Sequence, residues 1–251
     1  MQEQYKIIRL HPYGKKYCQV FSQEYYENSL KSWKKYFPDY TVETLREMDR
    51  KEYDNYLERD IPIGASRIGG PIVDLPDDIK YPEGYYFAAQ LNCEELKQYD
   101  ELNLLPQKGF IYFFTRHPGD NGIVLYSPKG SKDLKMVTKE HSEWNFYGCL
   151  IGDIKSEAES IESRYEIEDG KKVWDFFAGT DITKVYGMYT NCQANEEETK
   201  NKLYELEKND LVLLLQIGSD FMGEGTQCVY INKKDLQDLN FTRCIFEYNQ
   251  S

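Results

Sequence analysis

The residues able to do chemistry in this chain are scattered rather than clustered. The three histidines, His11, His117 and His141, stand at no ligand spacing from one another or from a cysteine, which argues against a zinc site. Asp220 and Glu224 are close, but a hard cation wants six or more oxygens in a defined loop. No metal and no cofactor is therefore expected. The six cysteines (18, 93, 149, 192, 228, 244) form no C-x-x-C pair, there is no G-x-S-x-G elbow, and nothing singles out a nucleophile. The pair of carboxylates best placed by tight turns is Asp220 and Glu224, with Arg67 as a cationic companion. In a water-poor cleft these could do acid–base work, so a hydrolase or transferase is the alternative reading. No catalytic residue is assigned.

Two other side chains stand out by misplacement. Gln90 interrupts the apolar run Tyr85–Leu91 (YYFAAQL), and Gln216 interrupts Leu211–Ile217 (LVLLLQI). A buried amide must be hydrogen-bonded or it costs free energy. Each run is followed by a Gly-containing stretch and a second strand-like run, Phe110–Phe114 and Cys228–Ile231. The repeated pattern predicts one structural unit used twice. Each glutamine would bind the backbone of the Gly-rich segment of its own half, Gly69–Pro71 or Gly187. If the amides face a groove instead, they join Arg67 in a candidate binding site with Asp220 and Glu224.

The elements that must position these groups follow from periodicity. A short strand is expected at Lys6–Leu10, then a helix over Gln23–Phe37 capped by Ser22, and a second from Thr41 to about Arg59. Ile61–Gly70 is Gly-rich, but prolines follow where a phosphate loop needs Lys-Ser or Lys-Thr. Asn92 caps a short helix at Cys93–Tyr99. Asn121-Gly122 is the strongest hairpin-turn pair, and a strand is expected around Leu134–Thr138. Residues 156–170 are acidic and polar, reading as a solvated helix or a mobile loop. A charged helix over Asn195–Asp210, a capped helix at Lys233–Leu239 and a last strand, Cys244–Tyr248, complete the chain.

The aligned glutamines pair Arg67–Pro71 with Lys184–Met188. A competing register pairs Leu91–Leu96 with Ile231–Leu236. The first is preferred because a buried glutamine is rarer than a capped helix. The fold class is then α+β and β-rich, with two fused structural repeats (about 61–150 and 173–251) in a 61–251 unit. The helical segment 1–60 packs on its sheets, making one compact domain.

Several segments in order resemble the YwqG-like family, a bacterial family of unknown function. In the first half these are Gly69–Pro71, Pro76, Tyr81-Pro82, Ala89–Leu91 and Leu105–Gly109 before the aromatic strand. In the second they are Leu213–Ile217, Ser219-Asp220, a Gly-rich turn, and Lys233–Leu236 before Phe241. The resemblance spans roughly residues 60–248. Departures fall at Gly187-Met188-Tyr189 and at Met222-Gly223-Glu224, where members carry Gly-Tyr-Pro and a Trp-Gly-Asp-like turn. The resemblance implies an internally repeated, β-rich fold and brings no established activity.

Composition limits the partners. With 43 acidic against 31 basic residues and a net charge of −12, a nucleic-acid partner is not expected, because phosphates would be repelled. No apolar run approaches a membrane span, so no membrane partner is expected. The N-terminus lacks a signal-type apolar core and the thiols read as reduced, which predicts a cytoplasmic protein. Tyrosine is abundant (22 residues) and favoured at interfaces. The expectation is a non-enzymatic binding or protein-interaction module for a basic protein, a peptide or a small ligand. One version is immunity-type, neutralising a basic toxin.

Overall fold

The computed structural model describes residues 4–116, 121–139, 147–222 and 225–249. Its first strand runs much further than the Lys6–Leu10 expected: β1 covers Tyr5–Cys18. Its charged second half hid it, because those side chains are exposed while pairing continues. The helices follow where the caps placed them, α1 at Gln23–Trp33 and α2 at Val42–Glu52. Ser22 accepts from the Tyr25 N–H, and Thr41 and Thr44 form a reciprocal capping box. α2 stops short of Arg59 because the chain turns extended at Tyr53 and adds β2 (Tyr53–Asn55) parallel to the end of β1.

Next come β3 (Arg67–Ile68), β4 (Ile72–Pro76), β5 (Tyr86–Asn92), α3 (Cys93–Leu96), β6 (Phe110–Thr115), β7 (Gly122–Ser127) and β8 (Leu134–Thr138). Gly122 is already strand, so the Asn-Gly pair closes the β6–β7 loop rather than forming a two-residue turn. β9 (Gly148–Glu159) takes the start of the acidic stretch that was expected to be helix or loop. The rest of that stretch builds a hairpin, β10 (Tyr165–Glu168) and β11 (Lys171–Trp174). The reason is local: Asp169 and Gly170 both take positive φ, 49° and 74°, as a two-residue type I′ turn requires. After these come β12 (Lys184–Val185), α4 (Glu196–Lys208), β13 (Leu211–Ile217), α5 (Ser219–Met222), β14 (Thr226–Asn232), α6 (Lys233–Gln237) and β15 (Ile245–Asn249).

Among the described residues one eleven-stranded sheet runs β15-β14-β13-β12-β1-β9-β3-β5-β6-β7, with β2 beside β1. β4 and β8 form a separate ribbon. β1 and β9 lie at the centre of the sheet, between β12–β15 on one side and β3, β5–β7 on the other. The sheet curls until its edges meet. Gly122 on β7 lies against the Phe246 ring on β15 with no room for a Cβ, and Tyr126 packs on Phe241 with ring centroids 5.8 Å apart. The result is a sheet-rich, nearly closed barrel with few helices. Its inside is one apolar core drawing on both ends, with Ile68, Ala89, Leu91 and Phe113 from one and Leu214, Leu215, Ile217 and Val229 from the other.

The two glutamine strands break alternation in the same way. β5 carries a bulge between Phe87 and Ala89, and β13 one between Leu213 and Leu215. Two consecutive residues, Ala88-Ala89 and Leu214-Leu215, thus join the inner core, which is why each run reads as continuously apolar. The glutamine next in line falls on the outer face, opposite Tyr112 in one case and Cys228 in the other.

Candidate functional site

Arg67 on β3 stands directly across from Gln90 on β5, and both are fully buried. Arg67 pairs with Asp74 of β4, also fully buried. The Gln90 amide ties this centre together. Its Oε1 accepts from the Asp74 N–H at 2.9 Å, and its Nε2 donates to the Ala65 carbonyl at 3.0 Å and to Asp74 Oδ2 at 3.1 Å. Gly64 N–H adds a bond to Asp74 Oδ2 at 2.8 Å. The amide thus grips the backbone on either side of Gly69–Pro71 rather than the glycines themselves.

On the other half Lys184 of β12 stands across from Gln216 of β13, and both are again fully buried. Lys184 Nζ donates to Glu159 Oε1 at 2.6 Å and to the Met188 carbonyl at 3.1 Å. Burial pulls the Lys184 ammonium below its usual pKa range, opposed by Glu159. Gln216 Nε2 donates to the carbonyls of Gly179 (3.0 Å) and Ile182 (2.7 Å), not to Gly187. A second buried cation, Arg164, donates to the carbonyls of Ala178 and Tyr189 and, at 2.6 Å, to Thr190 Oγ1.

The expected acidic site is arranged differently. Asp220 on α5 accepts from Thr183, 2.6 Å from its hydroxyl and 3.4 Å from its N–H. Burial pushes its carboxyl up to about 6, against the pull of the Thr183 hydrogen bonds. Glu224 lies outside the described residues, as do His117 and His141. No hydrogen bond or ion pair joins Arg67 to Asp220 among the described residues; Arg67 is engaged with Asp74 and Asp220 with Thr183. Among the described residues no three His, Cys, Asp or Glu side chains gather as a metal would require. No helix there is long and apolar enough to cross a membrane.

The open face lies above the second buried centre. The β10–β11 hairpin and the turn after it expose Ile167 (72%), Phe177 (64%), Phe176 (44%) and Val173. Their neighbours in the hairpin are the exposed carboxylates Glu166 and Glu168. Trp174, Phe176, Asn195, Glu196, Glu197 and Lys200 line an open cleft of about 600 Å3. Lys200 beside Glu196 holds its carboxyl below the usual range. Trp174 is fixed by a bond from its Nε1 to the Ala194 carbonyl (3.2 Å) and by an edge contact with Tyr165 at 5.3 Å.

This face is held from below. Arg164 grips the Ala178 carbonyl, its own carbonyl accepts from the Asp175 N–H at 2.9 Å, and Asp175 Oδ1 accepts from the Phe177 N–H at 2.8 Å. Gln216 secures residues 179 and 182. Apolar rings kept in water on a preorganised turn beside carboxylates suit contact with a ligand that is both apolar and cationic. Two further clefts, each of about 660 Å3, lie elsewhere. One sits between the N-terminal helices and β2, around Tyr26, Asp49 and Arg59. The other is leucine-lined, between Leu102, Leu203 and Leu211.

Sequence reasoning missed Asp74, Glu159, Arg164 and Lys184. Asp74 carried the same signal as the glutamines, a polar residue inside an apolar run (IVDLP). Glu159 and Arg164 carried none, being charges in a charged stretch. The Asp169-Gly170 pair was the missed mark of the hairpin.

No curated protein matches the chain. A family model, described as Domain of unknown function (DUF1963), matches residues 66–249, which takes in Arg67, Asp74, Gln90, Lys184, Gln216 and the β10–β11 hairpin but not α1 or α2. Covering well over half of the chain, that match establishes that the protein belongs to the DUF1963 family of unknown function.

Proposed function

We propose that this chain is a non-enzymatic binding module whose β10–β11 face docks a basic protein or peptide. The observation that carries the reading is the pair of exposed rings at Phe176 and Phe177, with Phe176 lining one cleft with Glu196 and Glu197, held on a turn locked by Arg164 and Gln216. An acidic surface steers a cationic partner, and desolvated aromatics supply most of the residence time. Cytoplasmic placement and a YwqG-like identity belong to this proposal. An immunity-type role against a basic toxin is its most specific form.

The same reading holds that the barrel arose from two fused copies of one β-unit. Support comes from matched details: Arg67 opposite Gln90 and Lys184 opposite Gln216, bulges at matching places, and positive φ at Gly69-Gly70 and at Tyr186-Gly187. The first copy keeps its amide for a closed polar centre. The second uses it to brace the docking turn.

The test is titration of a lysine-rich peptide containing phenylalanine, followed by isothermal calorimetry at low and at physiological salt. Binding should weaken with salt and fall by about tenfold, roughly 1.4 kcal/mol, in Phe176→Ser/Phe177→Ser and in Glu196→Lys/Glu197→Lys. Affinity unchanged in both variants would remove this face from consideration.

A further inference from the structure

Four buried polar atoms around the Arg67–Asp74 pair have no hydrogen-bond partner among the described residues: Tyr17 Oη, Arg67 Nε, Asp74 Oδ1 and Tyr112 Oη. All four residues are fully buried. Buried polar groups are almost always partnered, and an unmet one costs its full desolvation. Their placement is built rather than incidental. The Tyr17 ring lies against Gly70 and Gly148, where a Cβ on either would collide with it. Tyr112 is held directly opposite Gln90. Both hydroxyls feel the charges of Arg67 and Asp74.

The chemistry of the four atoms defines what can serve them. Arg67 Nε only donates, Asp74 Oδ1 only accepts, and each hydroxyl does both. Arg67 and Asp74 already neutralise one another, so an ion would add an uncompensated buried charge. All four side chains are shut off from solvent, which leaves no path for a larger guest. The ligand must be small, neutral and able to donate and accept.

We propose that this centre is a binding site for ordered internal water, bridging Tyr17 Oη, Arg67 Nε, Asp74 Oδ1 and Tyr112 Oη. Water makes about three such bonds at buried sites and becomes part of the structure there. The polar centre is then a hydrated joint that fastens β1, β3, β4 and β6 together, although Tyr17 lies outside the family-matched residues.

The sign of a stability change tests it. Removing a hydroxyl that bonds to trapped water loses that bond and lowers Tm, whereas removing one left dry and unpaired relieves its desolvation and raises Tm. Tyr17→Phe and Tyr112→Phe are each measured by thermal unfolding, beside a high-resolution crystal structure of the full chain. A fall in Tm in both variants, with ordered water density bridging at least two of the four atoms, is expected. A rise in Tm in either variant, or a centre without bridging density, overturns the proposal.

Discussion

The guanidinium of buried Arg164 donates to the carbonyl of Ala178, the residue directly after the exposed Phe176-Phe177 pair. A side chain inside the protein thereby sets the shape of a turn whose rings face water. Arg164→Met should lower stability by about 1–3 kcal/mol, the cost of leaving buried carbonyls unmet. It should also raise amide exchange over residues 175–182. Urea denaturation and hydrogen exchange measure both, and unchanged exchange in that turn would show that Arg164 does not brace it.

Gln90→Leu keeps the volume of the side chain but strands the Asp74 N–H and the Ala65 carbonyl. We expect a loss of about 1–3 kcal/mol. Gln216→Leu should cost a comparable amount through the Gly179 and Ile182 carbonyls, and it alone should weaken peptide binding. An unmoved denaturation midpoint in either variant would rule out that amide as a fastening.

The Arg67–Asp74 pair predicts strong coupling. Arg67→Leu alone leaves a buried carboxylate without its cation and should cost about 3–5 kcal/mol. Combining it with Asp74→Leu removes the stranded charge. The double variant should therefore be more stable than the sum of the two single losses implies, by at least about 1 kcal/mol. Strict additivity in a double-mutant cycle would mean that the two groups do not interact.

Asp220 adds a pH dependence of defined sign. Its folded-state pKa of about 6 lies above the unfolded carboxyl value of 3.8, so the folded protein holds this proton more tightly. The stabilisation is fully present below about pH 4 and is lost as pH rises through about 6, to a total of up to about 3 kcal/mol. Asp220→Asn cannot titrate. The stability difference between wild type and this variant should therefore shrink, or reverse, between pH 4 and pH 7. A difference that stays flat over that range would show that the carboxyl is not perturbed by its burial.

Much of the architecture was readable because it rests on local rules. Ser22, Thr41, Asn92 and Asn232 marked helix starts through side-chain oxygens that accept from orphan N–H groups, and such caps need no distant partner. The two glutamine strands were visible as apolar runs. The length of β1 was not, since His11–Lys16 gains its extended form from pairing with β9 and β2. Residues 156–159, the start of the acidic 156–170 stretch, were misread for the same reason. Glu159 looks like one more solvated acid until β1 and Lys184 close over it.

The amino-acid order by itself determined that Gln90 and Gln216 had to be satisfied inside strands, because an amide in an apolar run has no other tolerable fate. It could not name their partners. Asp74, Ala65, Gly179 and Ile182 reach those amides only once the sheet has curled and the loops have crossed its outer face. The acidic, aromatic turn was decided at the same level. Whether a phenylalanine is buried or exposed depends on which side of the nearly closed barrel its loop lands, and that is set by long-range packing rather than by its neighbours in the chain.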